Sequence, residues 1–175
     1  MKKSHAITFL CDAKKSHLWW LLHASAIVEG RPVEQDEVPL HATECAFGCW
    51  YYGNGSVLSP LSAFQKIEAP HLHLHEIYLH IHVLLKVGKK EQDTSRLGRL
   101  LGAGYKLKAE KAAAAAEAQA LLADLKTASL EIVRHVDDLQ AQLLALSDAE
   151  FGALMAAQGL GNRPTKLSLV IQKVA

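Results

Sequence analysis

The feature that most constrains the fold is a long run of helix-forming residues with a regular apolar seam. Residues 94 to 146 are rich in Ala, Leu, Glu and Lys, which are all strong helix formers. Small and apolar side chains then recur at alternating steps of three and four: Ala115, Ala118, Leu122, Leu125, Ser129, Ile132, Val136, Leu139, Leu143 and Leu146. This heptad pattern requires a partner helix, either from a second copy of the chain or from the same bundle.

Shorter helices are predicted before the seam. Residues 5 to 29 carry apolar side chains at helical spacing until Gly30 interrupts them. Residues 44 to 52 predict a short helix with a glycine stop, and residues 61 to 87 are helical in pattern. Within the last segment, Pro70 either begins a second helix or kinks a longer one.

After the seam, Ser147 and Glu150 have the spacing of a capping box, which predicts a short helix to about Gln158. The last eleven residues alternate weakly and are expected to form a strand or an ordered tail. Since no other strand is evident, the sequence predicts an all-α bundle.

Composition excludes several classes of function. The chain has 175 residues, with 19 basic and 18 acidic side chains, so binding to nucleic acid by phosphate neutralisation is not expected. No run of eighteen uncharged apolar residues predicts a membrane span, and no signal peptide is evident. Three irregularly spaced cysteines favour a reducing, cytoplasmic setting over a disulfide scaffold.

The most unusual segment is APHLHLHEIYLHIH at residues 69 to 82, with five histidines in fourteen positions. On a helix, His71 and His75 share one face, and His82 lies a heptad further along the same stripe. His73 and His80 occupy a different stripe. An i, i+4 histidine pair can hold a metal ion at two points, although half-buried polar histidines would show the same pattern.

Two further residues could complete a tetrahedral site. Cys45 lies where a loop meets a short helix, and a helix N-terminus is expected to lower the pKa of a thiol. His17 lies beside two tryptophans in the first helix, so it is expected to face the core. Taken singly, each could instead be an ordinary buried side chain.

Three blocks in order, H17-L-W-W20, C45-A-F-G-C-W50 and H71-L-H-L-H75, resemble the chemoreceptor zinc-binding domain family. The family pattern is His-x-x-Trp, then Cys-x-(Phe/Leu)-Gly-x-Trp, then His-x-x-x-His. The resemblance covers roughly residues 10 to 90. It implies a four-helix bundle, often a homodimer, that binds one Zn²⁺ per chain. By this resemblance the metal ligands are His17, Cys45, His71 and His75.

The resemblance also implies a regulatory role without catalysis. Such domains regulate a chemoreceptor or a diguanylate cyclase, and in chemoreceptors the zinc and cysteine pair is linked to sensing oxidants such as hypochlorous acid. This chain has no GG(D/E)EF motif and no chemoreceptor signalling hairpin, so it is expected to act alone or on a partner in trans. Cys49 replaces a residue that is usually basic or polar. It is either a tolerated substitution or a resolving thiol for Cys45.

The sequence therefore predicts an all-α four-helix bundle with a long C-terminal helix and a short helical or extended tail. Residues 1–146 are expected to form the zinc-binding bundle, and residues 147–175 the appended tail. Two other functions stay open at this point. One is an interaction scaffold with a purely structural zinc. The other is a metalloenzyme, since Glu44 and Glu76 lie near the proposed ligands in sequence and His82 or His73 could rearrange the site.

Overall fold

A computed structural model describes residues 2–31, 39–88 and 103–159. All of the regular secondary structure in these ranges is helical. The helices are α1 (Lys3–Val28), α2 (Ala46–Tyr52), a 3-10 helix (Asn54–Leu58), α3 (Ser62–Gln65), α4 (Glu68–Gly88), α5 (Ala103–Ala145) and α6 (Asp148–Gly159). The predicted all-α bundle with a long C-terminal helix is confirmed. Two predictions, the start of the long helix at 94 and the tail after residue 159, lie outside the described residues. The division of the chain at residue 146 stays a prediction.

Helices α1 and α4 both pack along α5 and run antiparallel to it. Lys3, at the start of α1, donates a hydrogen bond to the carbonyl of Leu146 at the far end of α5 (2.8 Å). Near the end of α4, His80 Nε2 lies 3.3 Å from Glu117 Oε1 in the first half of α5. Because α1 and α4 are each antiparallel to α5, they run parallel to one another.

The heptad seam of α5 is buried inside a single chain. Five of its large side chains are at most 1% exposed: Leu122, Leu125, Ile132, Leu139 and Leu143. At its start the buried position is Ala114, whereas Ala115 is exposed. The partner of the seam is therefore supplied by α1 and α4, and a second copy is not needed to cover it.

Helix α1 forms as predicted, but its buried face is built from smaller side chains than its leucine spacing suggests. Ala6, Leu10 and Ala13 are buried, whereas Leu18 and Leu22 are 43% and 68% exposed. Small residues allow α1 to approach α5 closely, and the polar Gln140 of α5 donates to the carbonyl of Ile7 across this contact (3.2 Å).

Two sequence signals at helix ends are confirmed. Pro70 lies in the first turn of α4, so it begins a new helix rather than kinking a longer one. At α6, the Ser147 backbone N–H donates to Glu150 Oε2 (2.7 Å), and the Glu150 backbone N–H donates to Ser147 Oγ (3.2 Å). This is the reciprocal capping box. Among residues 2–31, 39–88 and 103–159, none of the helices combines the length and the hydropathy of a membrane span.

Candidate metal centre

Cys45 is the N-cap of α2. Its Sγ accepts a hydrogen bond from the backbone N–H of Gly48 (3.1 Å) and lies 3.4 Å from the carbonyl oxygen of Ala42. The sulfur thus occupies the position that a serine or threonine oxygen takes in an ordinary N-cap. This arrangement holds Sγ at the end of the helix and restricts its direction.

Gly48 allows the loop before α2 to reach the sulfur. A Cβ at this position would lie 1.6 Å from the carbonyl oxygen of Ala42, well inside van der Waals contact. The same carbonyl is the one beside Cys45 Sγ. The glycine of the Cys-x-Phe-Gly-x-Trp block is therefore required by packing of backbone against backbone.

Helix α4 brings two histidines to the sulfur. His71 and His75 are both buried and belong to consecutive turns of the helix, with ring centroids 4.9 Å apart. His71 Nε2 lies 3.3 Å from Cys45 Sγ. One ligand atom from each of Cys45, His71 and His75 lies within 4.8 Å of the others. A single cation between them could contact all three after small side-chain adjustments.

The ring of His75 is oriented by a backbone group. Its Nδ1 lies 3.1 Å from the carbonyl oxygen of Leu40. Since a carbonyl only accepts, Nδ1 carries the proton in this pair and Nε2 keeps its lone pair for a metal. Sequence reasoning missed this contact. A backbone carbonyl carries no residue-type signal, so nothing in the sequence could have marked Leu40.

His17 lies in the same buried region but outside the three-residue group. Its side chain is 7% exposed, and its ring centroid lies 5.7 Å from that of His71. Within the described residues, His17 Nε2 is buried without a hydrogen-bond partner. An orphaned imidazole nitrogen is costly to bury, and coordination to a metal ion would remove this cost.

Aromatic side chains surround the four candidate residues. Phe47 packs edge-on against the rings of His17 (5.6 Å) and His71 (5.0 Å). Trp20 lies against Tyr78 (4.6 Å) and His75 (5.8 Å). Trp20 and Phe47, from the first two sequence blocks, therefore form part of the apolar wall of the site, which lowers the local dielectric constant around it.

Burial keeps the imidazoles neutral. It lowers the pKa of His17 to about 4 and that of His71 to about 3, with the neighbouring histidines adding to the effect. Burial also lowers the pKa of His75, although the hydrogen bond to the Leu40 carbonyl partly offsets this. Neutral imidazole is the form that binds metal, so the site is prepared for a cation at neutral pH.

The thiol of Cys45 behaves differently from the sequence expectation. Burial raises its pKa above the ordinary value, and the backbone N–H groups of Gly48 and Phe47 only partly counteract this. The expectation that the helix N-terminus makes Cys45 acidic is therefore wrong for the metal-free chain. Desolvation outweighs the N-terminal hydrogen bonds, and a bound cation is needed to favour the thiolate.

A cavity of about 800 Å³ reaches the site from one side. Its lining includes the candidate ligands His17, Cys45 and His75, and its wall includes Trp19 and Trp20. The candidate metal centre is therefore largely buried but accessible to small molecules beside α1.

The other residues named from sequence lie elsewhere. Glu44, Glu76 and His73 are exposed, and His73 pairs with Glu76 (3.6 Å) on the outer face of α4. His82 is half-buried near Tyr78, with ring centroids 6.5 Å apart. Cys49 is exposed, and its Sγ lies 3.4 Å from the carbonyl oxygen of Thr43.

This geometry agrees with the comparison to known families. Residues 17–81 match the model of the chemoreceptor zinc-binding domain family. This segment is similar to a chemoreceptor zinc-binding domain. The matched segment begins at His17 and includes Cys45, His71 and His75. No curated protein and no solved structure matches the chain.

The candidate ligands His17, Cys45, His71 and His75 fit a borderline metal such as zinc. Their donor set is one thiol and three neutral imidazoles, which zinc prefers and magnesium or calcium does not. The unpartnered His17 Nε2 supports the same conclusion, because a cation would satisfy it.

Proposed function

We propose that this chain is a zinc-dependent regulatory protein whose ion is held by His17, Cys45, His71 and His75. The supporting observation is the buried group of Cys45, His71 and His75, with ligand atoms within 4.8 Å of one another. The orphaned Nε2 of His17 beside them supplies the fourth ligand after a small movement of its ring.

The proposed ligands connect separate parts of the bundle. His17 belongs to α1, Cys45 begins α2, and His71 and His75 belong to α4. Bound zinc would add strong bonds between these elements and favour the Cys45 thiolate. Because α1 and α4 both pack on the seam of α5, a change in their relative positions also changes the contacts along α5.

We propose a regulatory role without catalysis. Four protein ligands complete the tetrahedral coordination that zinc adopts in closed sites, which leaves no position for a substrate. The acidic residues considered for catalysis, Glu44 and Glu76, are exposed and lie outside the ligand group.

We propose that oxidation of Cys45 is one trigger. A two-electron oxidant such as hypochlorous acid would convert the thiolate to a sulfenic acid and be reduced to chloride, and the product is a weaker ligand. The cavity beside α1 gives a small oxidant a path to the sulfur.

The partners are also part of the proposal. We propose a homodimer in the cytoplasm that signals to a chemoreceptor or a diguanylate cyclase. Exposed apolar side chains support self-association, among them Leu22 of α1 and Leu130 and Leu144 of α5. All three cysteines are free, which is consistent with a reducing compartment.

The test compares zinc binding by the wild-type chain with Cys45→Ala, Cys49→Ala and Cys11→Ala. Competition with a chromophoric chelator should show one tight site in wild type and in the Cys49 and Cys11 controls. Cys45→Ala should lose tight binding while circular dichroism shows that its helices persist. Stoichiometric zinc held equally tightly by Cys45→Ala would contradict the proposal.

A structural zinc in a non-sensory scaffold is the second candidate, supported by the complete burial of His71. The two functions differ in how readily the protein releases its zinc. A sensor should release zinc under mild chelation or oxidant with a change in shape measurable by small-angle scattering, whereas a scaffold should retain it.

A further inference from the structure

Ser129 of α5 is an unusual member of the seam. It is 0% exposed, and its neighbours along the seam are the apolar Leu125, Ala128 and Ile132. Within the described residues, Ser129 Oγ has no hydrogen-bond partner. A buried hydroxyl without a partner costs free energy, so its presence in an apolar seam requires an explanation.

Among the residues that the structure describes, one ring nitrogen of His71 also lacks a hydrogen-bond partner. Its Nε2 faces Cys45 Sγ, whereas its Nδ1 is buried and has no partner in the described part of the chain. If Nε2 binds a metal, Nδ1 carries the proton and requires an acceptor. Metal-bound histidines almost always donate this second N–H to an oxygen.

The two orphaned groups lie at the same level of the bundle. His80 of α4 pairs with Glu117 of α5, and the backbone N–H of Ala63 in α3 meets Gln142 Oε1. Counting back along α4 from the His80–Glu117 contact places His71 opposite the part of α5 within about one turn of residue 126. Ser129 lies within this stretch and on the buried face of α5.

We propose that Ser129 is a positioning residue whose Oγ accepts a hydrogen bond from His71 Nδ1–H, after a small side-chain movement or through one buried water. This inference rests on the proposed zinc site and deepens it. The hydrogen bond fixes the His71 tautomer with its lone pair on Nε2, toward Cys45. It also couples α5 to the site, because Ser129 is the point where the seam meets a proposed ligand.

The test uses Ser129→Ala, which removes one oxygen atom from a packed position. Its matched control is Ser25→Ala, since Ser25 is also buried but its Oγ donates to the Leu21 carbonyl of its own helix (2.8 Å). Zinc affinity by chelator competition should fall about 10- to 100-fold in Ser129→Ala, as for loss of other groups that orient metal ligands. Ser25→Ala should change it less than twofold.

A second readout separates positioning from a general structural role. Nitrogen-15 NMR of the His71 ring should show a protonated Nδ1 in wild type, and its proton resonance should shift or exchange faster in Ser129→Ala. Zinc affinity within twofold of wild type together with unchanged His71 Nδ1 resonances would overturn the proposal.

The readouts also distinguish this inference from the proposed function. If the wild-type chain binds no zinc, the proposed function fails by itself. The NMR comparison of metal-free wild type and Ser129→Ala then still decides whether Ser129 orients His71.

Discussion

At the scale of single residues, the site depends on which atoms are free to act as ligands. Cys45 Sγ is held by the Gly48 N–H, and His75 is turned by the Leu40 carbonyl so that Nε2 remains available. Both hydrogen bonds are present in the metal-free chain. The side chains therefore need little reorganisation on binding, which is the advantage of a site whose ligands are already oriented.

Gly48 gives the first prediction. In Gly48→Ala the new Cβ cannot coexist with the Ala42 carbonyl, so the loop must move away from α2 and from Cys45 Sγ. We expect a loss of about 1–3 kcal/mol in the free energy of unfolding, measured by urea denaturation, together with weaker zinc binding. The control is Gly152→Ala in α6, where a Cβ meets nothing within 4 Å. Equal effects of the two substitutions would contradict this account of Gly48.

The second prediction concerns pH and the metal-free protein. The pKa values of His17 and His71 in the folded chain are about 4 and about 3, below the ordinary 6.5. Between pH 6.5 and these values the unfolded chain binds protons that the folded chain does not. The contribution of these two histidines to the free energy of unfolding is therefore fully present above pH 6.5. It is lost as the pH falls through this window, by up to about 1.4 kcal/mol per pH unit for each histidine.

This pH effect can be measured by comparing urea denaturation of the metal-free chain at pH 7.5 and pH 5.5. His71→Leu should reduce the pH dependence, because one of the histidines whose pKa is lowered by burial is gone. A metal-free wild type that is equally stable at both pH values would show that these histidines are not held neutral.

At the scale of elements, α5 is the central support of the fold. Its seam is covered by α1 and α4 of the same chain, so the heptad pattern marks an internal contact. The exposed leucines of α5, including Leu130 at 61% exposure, lie outside this seam. Any self-association must therefore use other faces.

The third prediction contrasts these two faces of α5. Ile132→Ala should destabilise the chain by about 2–5 kcal/mol, since it creates a cavity in a packed core. This loss should not depend on protein concentration, because the seam is internal. Leu130→Ala should leave the unfolding free energy of the monomer within about 0.5 kcal/mol of wild type. A concentration-dependent effect of Ile132→Ala would indicate that the seam pairs between chains.

The junction of α5 and α6 gives the fourth prediction. Ser147→Ala removes the acceptor of the Glu150 N–H and one half of the capping box. It should cost about 1 kcal/mol and speed amide exchange in the first turn of α6. Exchange near the metal centre should not change. Unaltered exchange in α6 would show that the capping box does not hold this helix.

At the scale of the whole molecule, the sequence predicted the helical class, the metal-site blocks and the helix signals at Pro70 and Ser147. These features are local, so residue type and spacing suffice to find them. The covering of the seam, the buried small-residue face of α1 and the Leu40 contact depend on how distant segments meet. The raised pKa of Cys45 was missed for the same reason, since burial is a property of the folded chain.

The most direct test of the central claim is X-ray absorption spectroscopy of the zinc-loaded protein at the zinc edge. Four ligands from His17, Cys45, His71 and His75 predict one sulfur at about 2.3 Å and three nitrogens at about 2.0–2.1 Å. A spectrum without sulfur, or one fitted only by five or six oxygen and nitrogen neighbours, would contradict the claim that these residues hold one tetrahedral ion.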